Sequence, residues 1–261
     1  MEEPVANDPT PWIAALRDSH QRLRTISRGL SSGALRQRSY ASEWSVADVL
    51  SHLGSQAEIF ELFLKAGLGH EPAPGPEQFQ PIWDRWNARS PEAQAADSIL
   101  GDAEILRRLE QASDNDRTQF HLSLFGRELD WAGLARMRLT EHAIHTWDIA
   151  VAFDSEEAVG SSAVNLLIDT LPELAARTGK AGATALRLAI ATTAPERHFD
   201  LEVSDAVLLQ RSQGGGEPPR LTLPAEAMVR LVYGRLDPAH TPPVDADEVD
   251  MNELRSVFPG F

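Results

Sequence analysis

One stretch constrains the fold of this chain more than any other. From Asp130 to Phe153 there is no proline, and the apolar pattern is helical. Within it Leu134, Arg138, Glu141, His145 and Asp148 follow one another at spacings of 4, 3, 4 and 3. At 3.6 residues per turn all five lie on one face of the helix. A core-facing stripe is ordinarily apolar, yet this one carries a base, two acids and an imidazole. Burying such groups is costly unless they pair with one another or bind an ion. Met137, Ile144 and Trp147 supply apolar packing around them.

The rest of the N-terminal half is helical too. Between Pro11 and Leu30, the residues Trp12, Leu16, Leu23, Ile26 and Leu30 fall at helical spacings. Ser45 is placed as an N-cap, with Asp48 three residues on as a weaker capping box. Val46, Val49, Leu50, Leu53, Ala57, Phe60 and Leu64 then form one stripe, and Gly67 and Gly69 end it. Residues 70–81 hold four prolines and predict a long connector. A short helix over 81–93 and another over 97–112 follow. Four long helices and a short one in about 155 residues predict a bundle.

After a further helical stretch at 161–178 the pattern changes. ALRLAIATT, HFDLEVS, AVLLQRS and RLTLP are short strand-like runs, with a loop at Gly214–Gly216 and Pro218–Pro219. Residues 224–233 predict a helix, 237–250 a proline-rich acidic tail, and 253–258 a last short helix. The expected class is α+β: a four-helix bundle over 1–155, then a small α/β domain over 156–261. There is no internal repeat.

Composition narrows the function. A formal charge of −15 disfavours sequence-blind binding to nucleic acid or to anionic membranes, since both need a cationic face. There are no cysteines, which excludes disulfides, zinc fingers, Fe–S clusters and a cysteine nucleophile. Any metal site must use His, Asp or Glu. The acidic, proline-broken start MEEPVANDPTPW does not read as a signal peptide, and no run of about 18 apolar residues predicts a membrane span. A cytoplasmic protein is expected, as a monomer or homodimer. The triple glycine at 214–216 is not followed by Lys-Ser/Thr, and neither G-x-S-x-G nor G-x-G-x-x-G occurs.

The polar helix face suggests a metal centre. Glu141 and His145 are four residues apart, so both side chains reach one point, the geometry that lets H-E-x-x-H bind zinc. His52, at the edge of the apolar stripe after Ser45, is the candidate third ligand. Two histidines and a glutamate leave an open position on a tetrahedral Zn²⁺, as catalytic sites do. The same residues also fit a plain reading, with Glu141–His145 as a surface pair and His52 as a satisfied core histidine. Arg138 could hold Glu141, bind a substrate carboxylate, or sit in an internal ion pair. Asp148 could steady a ligand imidazole or cap another group. His142 falls about 100° off the stripe and is expected at the surface. His20, His70, His121, His198 and His240 have no partner at ligand spacing. Trp44 and Trp147 are expected in the core. Asp245, Asp247, Glu248 and Asp250 read as a solvated tail.

Two segments resemble a known family. SEWSVADVLSHLGSQAEIF is similar to the second helix of the DinB-like superfamily, where W-S-x-x-D/E-x-x-x-H introduces the first metal histidine. RMRLTEHAIHTWDIAVAF resembles the R-x-x-E-x-x-x-H-x-W-D helix of its mycothiol-dependent maleylpyruvate isomerase-like branch. Many DinB-like proteins have His-x-x-x-His on this helix; the branch has Glu-x-x-x-His, as here. The C-terminal half resembles the branch more loosely, through a short sheet and a helix ending in MVRLVYGR, at Gly234–Arg235.

The resemblance implies a DinB-like bundle with a divalent metal, usually zinc, on His52, Glu141 and His145. It implies mycothiol as the thiol cosubstrate and a small electrophile as substrate. A chain without cysteine fits an imported thiol. A thiolate that adds to carbon, allows bond rotation and leaves makes an isomerase; one that stays attached makes a transferase. Arg235 would then meet an anionic group of thiol or substrate, unless it merely offsets the dipole of its own helix. A metal-dependent hydrolase using bound water and a non-catalytic metal- or ligand-binding protein are the alternatives.

Overall fold

Ser45 sets where the central helix of the first unit begins. Its hydroxyl accepts from the Asp48 amide at 3.2 Å, and the Asp48 carboxylate accepts from the Ser45 amide at 2.9 Å. This capping box satisfies amide groups that the first turn leaves open. The computed structural model describes residues 8–41, 43–124, 126–181, 185–214, 218, 220–246 and 249–260. Residues 1–7, Gly182, Gly215, Gly216, Pro219, Asp247 and Glu248, on which some of the sequence expectations fall, lie outside them.

By its contacts the chain divides into two units, Met1–Ala163 and Val164–Phe261. The first is built on four long helices: α1 (Thr10–Ser27), α3 (Val46–Gly67), α5 (Pro91–Gln111) and α7 (Trp131–Ala150). Helix α7 packs on α1 and α3, and α5 packs on the same two helices. Shorter helices lie between them: α2 (Ser32–Leu35), α4 (Phe79–Asn87) and α6 (Asp114–Gln119). Strands β1 (Leu122–Leu124) and β2 (Arg127–Leu129) form an antiparallel hairpin before α7. Leu23, Val46, Val49, Leu50, Leu53 and Ile149 are fully buried in one cluster that joins α1, α3 and α7.

The break between α4 and α5 differs from the sequence expectation. Ser90 caps α5 through its hydroxyl, and Pro91 opens the helix where a missing N–H costs nothing. The helix therefore starts at residue 91 and not 97. Helix α6 and the β1–β2 hairpin are too short for periodicity to reveal, and the sequence reading missed both.

In the second unit, α8 (Ser161–Leu167) leads from the first, and a 3₁₀ turn at Ile168–Thr170 separates it from α9 (Leu171–Thr178). The single helix expected over 161–178 is broken there, just before Pro172, which lacks an N–H. Strands β3 (Leu186–Thr193), β4 (Arg197–Val203), β5 (Val207–Ser212), β6 (Leu221–Pro224) and β7 (Asp245–Ala246) form one sheet in the order β5-β4-β3-β6-β7. Among the described residues only β3 and β6 pair in parallel. Leu188, Ile190, Phe199, Leu201, Val203, Val207 and Leu209 are buried, following the two-residue period. Helices α9 and α10 (Ala225–Val232) pack on the sheet, and α11 (Met251–Val257) closes the chain. The acidic tail is not simply solvated. Asp245 pairs with Thr222 in the sheet, and Asp250 caps α11 through its side chain.

The architecture is the expected one, a helical unit followed by a sheet unit. Among the described residues no helix is long and apolar enough to cross a membrane.

Gly54 permits the close approach of α3 and α4, because a Cβ there would run into the Trp86 ring. Alanine is the better helix former by about 1 kcal/mol, so propensity alone says Gly54→Ala stabilises. The packing says the reverse. Urea unfolding of Gly54→Ala should show a loss of about 1–3 kcal/mol, the usual cost of overpacking.

Candidate metal centre

His52 on α3 meets Glu141 and His145 on α7. The His52 Nε2 lies 3.3 Å from Glu141 Oε2, and the His145 Nε2 lies 3.8 Å from the same oxygen. The three donor atoms all fall within 4.8 Å of one another. Ligands at about 2.0–2.1 Å on a tetrahedral zinc stand about 3.3–3.4 Å apart. The donor set and its spacing therefore fit a divalent ion. All three side chains are partly exposed, which leaves a side of the site open to small molecules.

The surroundings of these groups suit a ligand's role. Asp148, fully buried, lies with Oδ2 2.9 Å from His145 Nδ1. A carboxylate can only accept, so Nδ1 carries the proton of that contact and Nε2 is the nitrogen turned toward Glu141. Burial pushes the His52 imidazole down from its ordinary pKa, and the charges of His145 and Arg138 add to this against the opposing pull of Glu141. Burial alone would raise the Glu141 carboxyl, but the hydrogen bond with His52 and the nearby positive groups outweigh it, and its pKa is lowered. A neutral imidazole and an ionised carboxylate bind metal without first shedding a proton.

Trp44 borders the site, and here the sequence expectation is corrected. It is 37% exposed. Its ring lies 5.1 Å from the His52 ring and stacks at 6.1 Å on the His145 ring. The residue just before the Ser45 cap cannot follow its helix into the core. Trp147 is fully buried, as expected.

Arg138 does not reach Glu141. Its Nη2 donates to Asp102 Oδ1 at 2.8 Å and to the Leu53 carbonyl at 3.1 Å, and its side chain is fully buried. The internal ion pair is the reading the geometry favours. Arg235 lies in the second unit beyond α10, after Gly234 at φ +69°, and its Nη1 donates to the Tyr233 carbonyl.

A second polar cluster was not anticipated. His20 on α1, Asp102 on α5 and His142 on α7 meet inside the bundle. The His20 Nδ1 is 2.5 Å and the His142 Nε2 is 2.8 Å from Asp102 Oδ2. The His142 contact is close but poorly aligned, so it is electrostatic more than a directed bond. On its other side His142 Nδ1 lies 2.8 Å from the Ser19 hydroxyl. The expected surface histidine is thus fully buried, because α7 is covered by α1 on the face away from the candidate donors. Ala135, Leu139, Ala143 and Thr146 surround that face, and this was the available signal.

The family model described as "Mycothiol maleylpyruvate isomerase N-terminal domain" matches residues 16–150, more than half of the chain, including all three candidate ligands. The chain belongs to this family. No curated protein sequence matches it. Among solved structures it is similar to a crystal structure of the mycothiol-dependent maleylpyruvate isomerase, at 13% identity and a TM-score of 0.67. That likeness covers 93% of this chain and 95% of the other. A histidine-to-alanine mutant of that isomerase is similar with a TM-score of 0.66, at the same identity and coverage. At this identity the likeness establishes the fold, and it extends over both units of the family member described here.

The Asp148–His145 contact is testable. Asp148→Asn keeps the shape but removes the charge, so divalent-ion affinity measured by titration should fall roughly tenfold, the low end for an outer-shell partner.

Proposed function

We propose that this protein is a metal-dependent enzyme that uses a low-molecular-weight thiol, mycothiol or a close relative, against a small electrophile. Its reaction class is thiol-assisted isomerisation or thiol transfer. The observation that carries this reading is the convergence of His52, Glu141 and His145 on one point with an open side. The family match and the absence of cysteine support it. The isomerase of similar fold is named for both mycothiol and maleylpyruvate, which makes a small unsaturated oxo-acid the first electrophile to try.

A divalent ion in this site, zinc by donor type, would supply positive charge that favours thiolate over thiol. The chain's own groups set how strongly. Glu141 brings one negative charge into the donor set, so the site is less positive than three imidazoles would make it. This moderates thiol acidification and eases product release. Asp148 keeps the His145 Nδ1 proton and aims Nε2 inward. Trp44 covers one flank with an apolar ring and keeps water from that side of the reacting atoms.

Turnover of an electrophile by the metal-loaded protein should require added thiol. It should persist at pH values below the free thiol's pKa of about 8.5, where a free thiol is mostly protonated. Activity that is independent of thiol, or inhibited by it, would instead mark a hydrolase using bound water.

A further inference from the structure

We propose that Asp102 is a positioning residue for the metal centre: it holds the Arg138 guanidinium away from Glu141 and so leaves that carboxylate free for the ion. The inference rests on the metal-centre reading above and extends it to a residue on a helix that supplies no ligand.

Arg138 and Glu141 stand three residues apart on α7, a spacing at which side chains are neighbours on the helix surface. A guanidinium and a carboxylate so placed form a charge-assisted pair unless something stronger claims one of them. A paired Glu141 would have to break that bond before it could bind an ion. Asp102 makes the stronger claim. It is fully buried, where attraction between charges is least weakened by water, whereas the Glu141 side chain is 36% exposed. His20 and His142 occupy its Oδ2 and leave Oδ1 to Arg138. Burial would raise the Asp102 carboxyl, but His142, Arg138 and His20 together hold it well below the ordinary carboxylate range.

Arg138 keeps donors in reserve. Its Nε and Nη1 are buried without a hydrogen-bond partner among the described residues. A guanidinium released by Asp102 therefore has both the reach and the unused donors to turn to Glu141.

The cluster around Asp102 could itself be taken for a metal site, since it too brings two imidazoles and a carboxylate together. Its spacing argues against this. Separations of 2.5 and 2.8 Å are shorter than the 3.3–3.4 Å or so between ligands of one zinc ion. The Arg138 cation also already lies against the carboxylate.

The test is Co²⁺ titration, read in the visible spectrum, of the wild type, Asp102→Asn, Arg138→Met and the double variant, with circular dichroism to confirm folding. Wild type should bind one ion per chain. Asp102→Asn should weaken affinity about tenfold or more, Arg138→Met should leave it close to wild type, and the double variant should recover most of the loss. If Asp102 merely braces the bundle, the double variant binds no better than Asp102→Asn, and the proposal falls. If Asp102→Asn fails to fold, Arg138→Met still decides: a tenfold loss there overturns the proposal, because it removes the only competitor named. Two ions per chain, with one lost in His20→Ala, would also overturn it by making the cluster a site. His52→Ala separates the two levels of the argument. If it binds as tightly as wild type, the metal-centre reading itself is wrong; if it loses the ion while Asp102→Asn does not, only the present inference is.

Discussion

Helix α7 turns Arg138, Glu141, His142, His145 and Asp148 into the bundle, and everything else in the first unit answers that constraint. A buried charge without a partner costs several kcal/mol. The partners arrive from three other helices: Asp102 from α5, Ser19 and His20 from α1, and His52 with the Leu53 carbonyl from α3. Breaking a buried pair such as Arg138–Asp102 typically costs about 3–5 kcal/mol, a large share of a domain's net stability. The polar interior thus also specifies how the four helices register against one another.

The two polar clusters divide the work. Around Asp102 every contact is at hydrogen-bond distance and the carboxylate lies against the Arg138 guanidinium. Around Glu141 the donors stand further apart and are partly open. A closed cluster suits structure. An open one with two imidazoles, a carboxylate held ionised and an aromatic flank suits an ion and a small reactant.

How much of this the sequence disclosed depends on whether the signal was local. Glu141, His145 and Asp148 share one helix face, so their spacing announced them, and the Ser45–Asp48 capping box placed His52 on its helix. The His20–Asp102–His142 cluster left no such trace, since its members lie 82 and 122 residues from His20 and meet only through packing. Faint signals existed. Asp102 lies on the stripe of Ser98, Ile105, Leu106 and Leu109, all buried, where a carboxylate needs a partner. The angular argument against His142 failed because α7 is buried nearly all round, which makes a helix with one exposed face the wrong template. The short elements between α5 and α7 escaped because three-residue strands and a six-residue helix carry too little periodicity.

The central claim is that His52, Glu141 and His145 form an ion site with room for a thiol. X-ray absorption at the edge of the bound metal tests it most directly. The account expects a nitrogen and oxygen shell at about 2.0–2.1 Å with imidazole scattering, and on addition of thiol a new sulfur at about 2.3 Å. An ion without imidazole ligands, or a shell that thiol leaves unchanged, would contradict it.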